Sequence, residues 1–565
     1  MGYGATRSRE RVAAAMGELE SAPIRFQPGL DVAQAGVLLA LPALLATGLL
    51  RYTRQFYTLP RGFYGIESIF LLLALMALAR IGSLEQLRYV PPGEWGNLLG
   101  LDRVPEVRTL RGKLEWLCRE SGPAAQWQSA LAHDWIAGQA DSELIFYADG
   151  HVRVYHGNLT QLPRHYVSRE RLCMRATTDY WINALDGQPF FYVNKEVDPG
   201  LIATLRQDLV PFLKSHVPIS PQLQQLLDRH PLQHRFTLVF DREAYSPALF
   251  AELKQQRIAI LTYHKHPTED WPAEEFQECR VELDGAGVSM KLAERGTRLS
   301  NGLWLREVRK LSSGGHKQTA ILSTDYVADH PRLAASMFAR WSQENFFKYM
   351  QEHYGLDRLV QYGTEAVPDS VQVVNPVWRR LDSQVRQLNG QRHRLLAQFA
   401  AHSLEGDLSE ARVADYQRKK IQFQEQIEGF GQQLIRLKQQ RKETPKHVLV
   451  KQLPEAERFT RLRPERKLFL DTIKLISYRA ETSMASVLRE SMSRSDDARA
   501  LLRQIYSTEA DLLPDIQNKT LTVRIHHLTQ ATHDQALRHL CEELNATHTL
   551  FPGTDLRLVY QIGSG

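Results

Sequence analysis

Arg235-Phe-Thr-Leu-Val-Phe-Asp241-Arg-Glu-Ala-Tyr-Ser-Pro247 leads, across a segment of helical composition ending near Gln255, into Arg257-Ile-Ala-Ile-Leu-Thr-Tyr263. Both runs are apolar and rich enough in β-branched and aromatic residues for buried strands. Strand, helix and strand make a parallel crossover unit. Sheets built from such units place their chemistry at the carboxyl ends of the strands. Asp241 stands at one of those ends, with Glu243 as its acidic neighbour.

A second strand lies upstream, in Leu144-Ile-Phe-Tyr-Ala-Asp149-Gly-His-Val-Arg-Val-Tyr-His156. It brings another aspartate, Asp149. An Asp-Gly pair between strands is also a tight-turn signal. Under that alternative Asp149 is a turn residue, and Asp179 or Asp186 takes its place as the useful acid. Downstream, Asp329-His-Pro331 signals the start of a helix expected over Arg332 to Tyr354. Met337, Trp341, Phe346 or Phe347, and Met350 recur at helical spacing and give it a buried face. Arg340, Glu344 and Lys348 stand four apart on one side. By themselves they read equally as an exposed charge ladder, in which each pair contributes roughly 0.2–0.5 kcal/mol.

Two strand-borne carboxylates and one on a helix are what two-metal phosphodiester chemistry needs, because hard divalent cations take oxygen ligands from several directions. With these residues the chain resembles the DDE transposases of bacterial insertion sequences, which have a ribonuclease H-like core. The resemblance is nearest to the group whose catalytic helix reads Tyr, two residues, Arg, three residues, Glu, six residues, Lys. Arg340 and Glu344 match the central spacing, whereas Met337 stands at the Tyr position and Gln351 at the Lys position. Lys348, one turn after Glu344, is the replacement on the same face.

The resemblance implies that Asp149, Asp241 and Glu344 are the catalytic residues and hold two Mg²⁺ or Mn²⁺ ions. It implies cleavage of phosphodiesters at the element ends and transfer of the 3′-OH into target DNA. Arg340 and Lys348 would touch DNA, a homodimer would pair the two ends, and the protein would work in the bacterial cytoplasm at the nucleoid. Two other readings stand beside it. One is a domesticated relative that binds DNA without cutting; the other is a coiled-coil or membrane-associated structural protein.

At 565 residues the chain is long enough for several domains, and 43% hydrophobic with 24% charged residues is ordinary for globular protein. A net charge of +6 is compatible with a polyanionic partner. Its four cysteines are scattered, which argues against a zinc finger or a disulfide framework. The expected class is α/β multidomain. Residues 1–140 form a helical amino-terminal domain and 141–365 the catalytic core, with a β-rich insertion at about 265–328. Residues 366–448 form a coiled-coil hairpin or dimer zipper, and 449–565 a mixed α/β tail domain.

Two apolar runs, 35–50 and 69–80, fall short of the roughly 20 residues of a membrane span and read as buried helices. The segment 94–116 reads as a helix-turn-helix with Pro105 in the first turn of its second helix, offering Arg108, Arg111 and Lys113 to DNA. Arg295, Arg298, Arg306, Arg309, Lys310 and Lys317 make the insertion basic, and Trp304 reads as part of its core or as a base-stacking ring. The tail histidines, His526, His527, His533 and His539, suggest a metal, but without acidic or cysteine partners at ligand spacing they read as ordinary helix and strand histidines.

Overall fold

The expected strand, helix and strand form as Phe236–Phe240, Pro247–Gln255 and Ile258–Tyr263. They are seen in a computed structural model that describes residues 4–140, 144–157, 160–167, 170, 172–283, 286–315, 317–358, 363–404, 409–492, 494 and 497–563. Ser246 caps the helix, its hydroxyl accepting from the Leu249 amide, with Pro247 in the first turn. The Ile145–Val154 strand lies parallel to Phe236–Phe240, which lies parallel to Ile258–Tyr263.

Asp149 and Gly150 are inside the Ile145–Val154 strand, so the pair does not form the alternative tight turn. The glycine serves close approach instead. A Cβ at Gly150 would come within 3.0 Å of the Tyr180 ring.

Residues Met1–Val154, Thr177–Gly363 and Arg463–Gly565 form one compact unit, and Tyr155–Ala176 with Thr364–Leu462 form a second. In the first unit the central sheet runs Pro189–Lys195, Leu172–Asn183, Ile145–Val154, Phe236–Phe240, Ile258–Tyr263 and onward. The β-rich stretch does not stand apart from this sheet. Gln318–Ser323 pairs antiparallel with Ile258–Tyr263, and Trp304–Leu311, Ala286–Arg298 and Gln277–Leu283 extend the sheet beyond it.

Alternation along the strands decides the two faces. Tyr147, Val239 and Leu261 point to one face, which the His330–Phe338 helix covers with Leu333, Ala334, Ala335 and Met337. Phe146, Leu238 and Ile260 point to the other and join the large core.

The helix expected over Arg332 to Tyr354 is two helices, His330–Phe338 and Trp341–Tyr354. The first is capped by Asp329, which accepts from the Arg332 amide at 2.9 Å, and lies on the sheet. The second buries Phe346 and Phe347 against Trp181, and Phe346 also meets Tyr478 at 5.1 Å. One straight helix cannot serve both surfaces, and the chain turns at Ala339 and Arg340. Gly355, with φ 59°, ends the second helix in the left-handed region.

The amino- and carboxyl-terminal segments share a core. Gly29–Val32 is an edge strand of a four-stranded sheet whose other members are Ala510–Asp515, Thr520–Ile525 and Arg557–Ile562. The first apolar run becomes a 3₁₀ helix, Ala35–Ala40, followed by Leu41–Ala46, and the second becomes Ile66–Leu78; all three are largely buried. Among the described residues no helix is long and apolar enough to cross a membrane. Phe70, Trp127 and Phe469 pack ring to ring at 5.2–5.9 Å, tying Ile66–Leu78 and Pro123–Ala137 to the long Glu465–Ser491 helix. Such aromatic pairs add about 0.5–1.5 kcal/mol each beyond their buried area.

The second unit contains a helical hairpin, Pro376–Ala401 and Glu410–Glu443. Arg441 pairs with Asp382 toward its base at 2.5 Å, and His402 stacks on Tyr416 toward its tip, so the helices are antiparallel. Two short strand pairs close the base, Gln372–Val374 with His447–Leu449 and Thr364–Ala366 with Thr460–Leu462.

Candidate active site

The sheet register brings the two aspartates together. Ala148 is opposite Phe240, and Phe240 is opposite Thr262. One step further along, Asp149, Asp241 and Tyr263 therefore stand side by side where the parallel pairing of the three strands stops, Asp149 midway along Ile145–Val154 and Asp241 just past Phe240. By alternation they share the face of Tyr147, Val239 and Leu261. The His330–Phe338 helix occupies that face and hydrogen-bonds to it, the Tyr147 hydroxyl donating to the Ser336 carbonyl at 2.6 Å. Where this helix ends, the next turn delivers Arg340 over the strand ends.

Arg340 Nη2 lies 3.2 Å from Asp149 Oδ2 and 3.9 Å from Asp241 Oδ2, and the three side chains are 15%, 18% and 33% exposed. Arg340 thus pairs with the aspartates and does not make the helical ladder with Glu344. Gln343, one turn on, is buried and donates to the Tyr147 carbonyl at 3.3 Å and to Asn183 Oδ1 at 3.1 Å, which fixes the start of the Trp341–Tyr354 helix on the sheet. Glu344 and Lys348 are exposed on that helix. Glu344 and Asp241 both push the Tyr263 phenol upward, after burial, which has the larger effect.

Carboxylates outnumber cations here. Burial raises the Asp149 carboxyl, Arg340 opposes that rise, and Asp241 adds to it. Glu243 is pushed up to about 7 by burial and then by Asp241, Asp198 and Asp149. Asp198 is held by the Tyr180 hydroxyl at 2.6 Å and the Gly200 amide at 2.8 Å. Acids that raise one another's pKa form a site that gains from a bound cation. The donors at these strand ends are all hard oxygens, which suits Mg²⁺ or Mn²⁺.

The other residues singled out in the sequence are spread more widely. Asp179 is fully buried in an ion-pair network with Arg153 and Lys467, each at 2.9 Å, and Asp186 accepts from Gln188. Met337 is a core residue, and Gln351 donates to Asp357 at 2.7 Å beside His151. The segment expected as a helix-turn-helix has helices Pro92–Asn97 and Val107–Leu117, and Pro105 precedes the second helix. Arg108 is exposed, Arg111 pairs with Glu85, and Lys113 is half-buried, so these three do not present a single face.

Several cations of the β-rich stretch are already engaged. Arg309 is buried against Glu307 at 2.8 Å, Arg306 meets Glu294 at 2.5 Å, and Arg295 meets Glu275 at 3.0 Å. Trp304 is 47% exposed and stacks on Tyr326. Among the described residues, the group of three ligating side chains whose donor atoms all lie within 4.8 Å of one another is Asp31, Glu509 and His526. The acidic partners that His526 lacked in the sequence come from a distant strand and from the turn before Ala510.

Tyr263 and Asp198 were missed in the sequence. Tyr263 carried a signal, as the last residue of the third parallel strand. Asp198 is in a connecting loop and carried none.

A family model described as a transposase protein matches the chain over residues 2–564. The chain belongs to this transposase family. No curated protein matches it. A transposase acts on DNA, and the acidic strand ends of this one lie where an α/β sheet carries its chemistry.

Proposed function

We propose that this transposase is of the DDE type, with a ribonuclease H-like core, and that it cuts element ends and joins the freed 3′-OH to target DNA. The observation that carries this reading is the convergence of Asp149 and Asp241, side by side where two adjacent parallel strands stop pairing, upon Arg340, with Glu344 one turn further along the same chain segment.

Asp149, Asp241 and Glu344 would hold two Mg²⁺ or Mn²⁺ ions. Bound there, the ions would supply the Lewis acidity that in-line phosphodiester displacement requires. Arg340 neutralises part of the acidic cluster and offers its guanidinium to a DNA phosphate beside it. Lys348, exposed on the same helix, is placed to contact the backbone further on. Arg108 and Arg111 would add backbone contacts, with Lys113 in a lesser part because it is half-buried. Two copies of the chain would hold the two ends of an element, and the reaction would take place at the nucleoid.

Cleavage of a labelled duplex carrying the DNA that flanks the gene tests the reading, run with Mg²⁺, with Mn²⁺ and with EDTA. Metal-dependent nicking at the element end, lost in Asp241→Ala and Glu344→Ala while DNA binding persists, is the expected result. Binding without nicking by the intact protein would favour a domesticated DNA-binding relative. Nicking that survives both substitutions would overturn the assignment of the acids.

A further inference from the structure

A cavity of about 260 Å³ lies away from the acidic strand ends, between the carboxyl end of Ile66–Leu78, the Val107–Leu117 helix, the end of Trp341–Tyr354 and the Glu465–Ser491 helix. Tyr354 lines it, whereas Glu344 is the helix acid of the proposed metal site. Ten residues of helix, at about 1.5 Å each, separate the two by roughly 15 Å.

The walls are of two kinds. Leu73, Met76, Ile81, Leu470 and Ile473 make one side apolar. The other side carries Arg80, Arg111, Arg358, Arg466 and Lys474, with Glu85 as the carboxylate on the lining.

Three of these cations have partners. Arg80 reaches the buried Glu481 at 2.8 Å, Lys474 reaches Asp471 at 3.2 Å, and Arg111 reaches Glu85. Arg466 has Arg111 as a like-charged neighbour and Cys118 and Glu115 as opposing ones, and its buried Nε has no hydrogen-bond partner among the described residues. Arg358 is placed by two glycines. A Cβ on Gly82 would collide with its guanidinium, and one on Gly355, where φ is 59°, would press on its stem. Among the described residues, Arg358 and Arg466 are thus the cations of the cavity wall that make no ion pair with a carboxylate.

We propose that this cavity binds the terminal phosphate of a nucleotide, held by Arg358 and Arg466, with the base against the Leu73, Met76 and Ile473 wall. A phosphate monoester carries about −1.5 to −2 charges at neutral pH, which matches these two guanidinium groups. Guanidinium forks suit phosphate oxygens, and a mostly apolar cleft with a few convergent polar groups is the usual form of a small-molecule site. Burial lowers the Arg466 pKa against Cys118 and Glu115, with Arg111 adding to the fall, and burial lowers that of Lys474 against Asp471; an anion in the cavity opposes both falls. The phosphate can come from a free nucleotide or from a 5′-phosphorylated DNA end. The inference is independent of metal-dependent cleavage.

Titration calorimetry of the full chain with deoxyadenosine monophosphate, pyrophosphate and deoxyadenosine tests it. Binding of the monophosphate at least tenfold tighter than deoxyadenosine is expected, with pyrophosphate competing. Arg358→Gln and Arg466→Gln should each weaken it at least tenfold at unchanged melting temperature, and Arg466→Lys should recover part of the loss. Asp241→Ala should bind like the wild type, which separates this result from failure of the cleavage reading.

Displacement of labelled monophosphate by a 5′-phosphorylated duplex, and not by its 5′-hydroxyl counterpart, would assign the site to a DNA end. Displacement by neither duplex would assign it to a free nucleotide. Equal displacement by both duplexes would overturn the terminal-phosphate assignment. So would equal binding of the monophosphate and deoxyadenosine, no binding of either, or wild-type affinity in both Gln variants.

Discussion

Two groups of charged side chains in this protein use similar residues to opposite ends. Where the Glu465–Ser491 helix meets the sheet, its Asp471 and the strand residue Asp179 are fully buried and are met by Arg153, Lys467 and Lys474 at 2.5–3.2 Å. At the end of the parallel pairing, Asp149 and Asp241 flank one strongly engaged cation, Arg340, and Glu243 is close enough for both to raise its carboxyl. The first group gives each of its two carboxylates at least two cations and is linked by hydrogen bonds to Asn194 and Tyr192, so it specifies how strands and helix meet. The second carries an excess of carboxylate at the open end of the sheet. A buried network in which every carboxylate has its cation is structure, whereas a cluster with more carboxylates than cations is what the proposed metal site requires.

The sharpest way to break this contrast is to delete one acid from each group. Asp241→Ala should lower element-end cleavage by roughly 10²–10³-fold or more, the scale of losing one organised electrostatic group. Its melting temperature should hold or rise, because like-charge repulsion falls. Asp471→Ala should cost about 3–5 kcal/mol of stability in chemical denaturation, because it leaves buried cations uncompensated. If both variants lost stability equally, the distinction would fail.

Arg340→Gln sharpens the contrast from the cation side. It should cost about 1.5–3 kcal/mol, the scale of a hydrogen bond between charged groups. Mg²⁺ should then raise the melting temperature more in this variant than in the wild type, since ligand binding to the folded state stabilises it. Equal shifts in both proteins would count against metal binding between the aspartates.

Acid should act on the buried network. Burial alone would raise the Asp471 carboxyl, but Lys467, Lys474 and Arg153 outweigh it and hold it below the usual range; Arg80 and Arg499 do the same for Glu481. A depressed folded pKa contributes stability that is present above the unfolded value, about 3.9 for Asp and 4.3 for Glu, and is lost as pH falls through the folded value. Melting scans should therefore lose this contribution below about pH 4, and Asp471→Asn should remove part of that loss. The smallest effect belongs to an exposed pair. Arg54 and Glu67, 74% and 34% exposed, are 3.0 Å apart, and Arg54→Ala should change stability by no more than about 0.5 kcal/mol.

Local pattern carried a good part of the fold. The run from Phe236 to Tyr263 announced its strands and helix because buried parallel strands are continuously apolar, and Ser246-Pro247 marked the helix start. The long hairpin helices were legible from heptad-like spacing. The turn at Ala339 and Arg340 was not, because helical periodicity continues across it and the break follows from two surfaces that the sequence does not show. Nor was the basic character of the β-rich stretch a guide to free cations. Arg309 is buried with Glu307, and counting charges cannot reveal such partners.

By itself the sequence determined the parallel strands and their crossover helix, and that acids would stand at a strand end and on a downstream helix. Those features depend on periodicity and capping within a few residues. Tertiary structure alone decided that Asp149 and Asp241 are neighbours, because sheet register relates residues far apart in the chain. It also decided that Arg340 faces both of them, that Gly29–Val32 pairs with Ala510–Asp515, and that Arg358 and Arg466 share a cavity. Each of these depends on which faces pack together, and that is settled by burial over the whole unit.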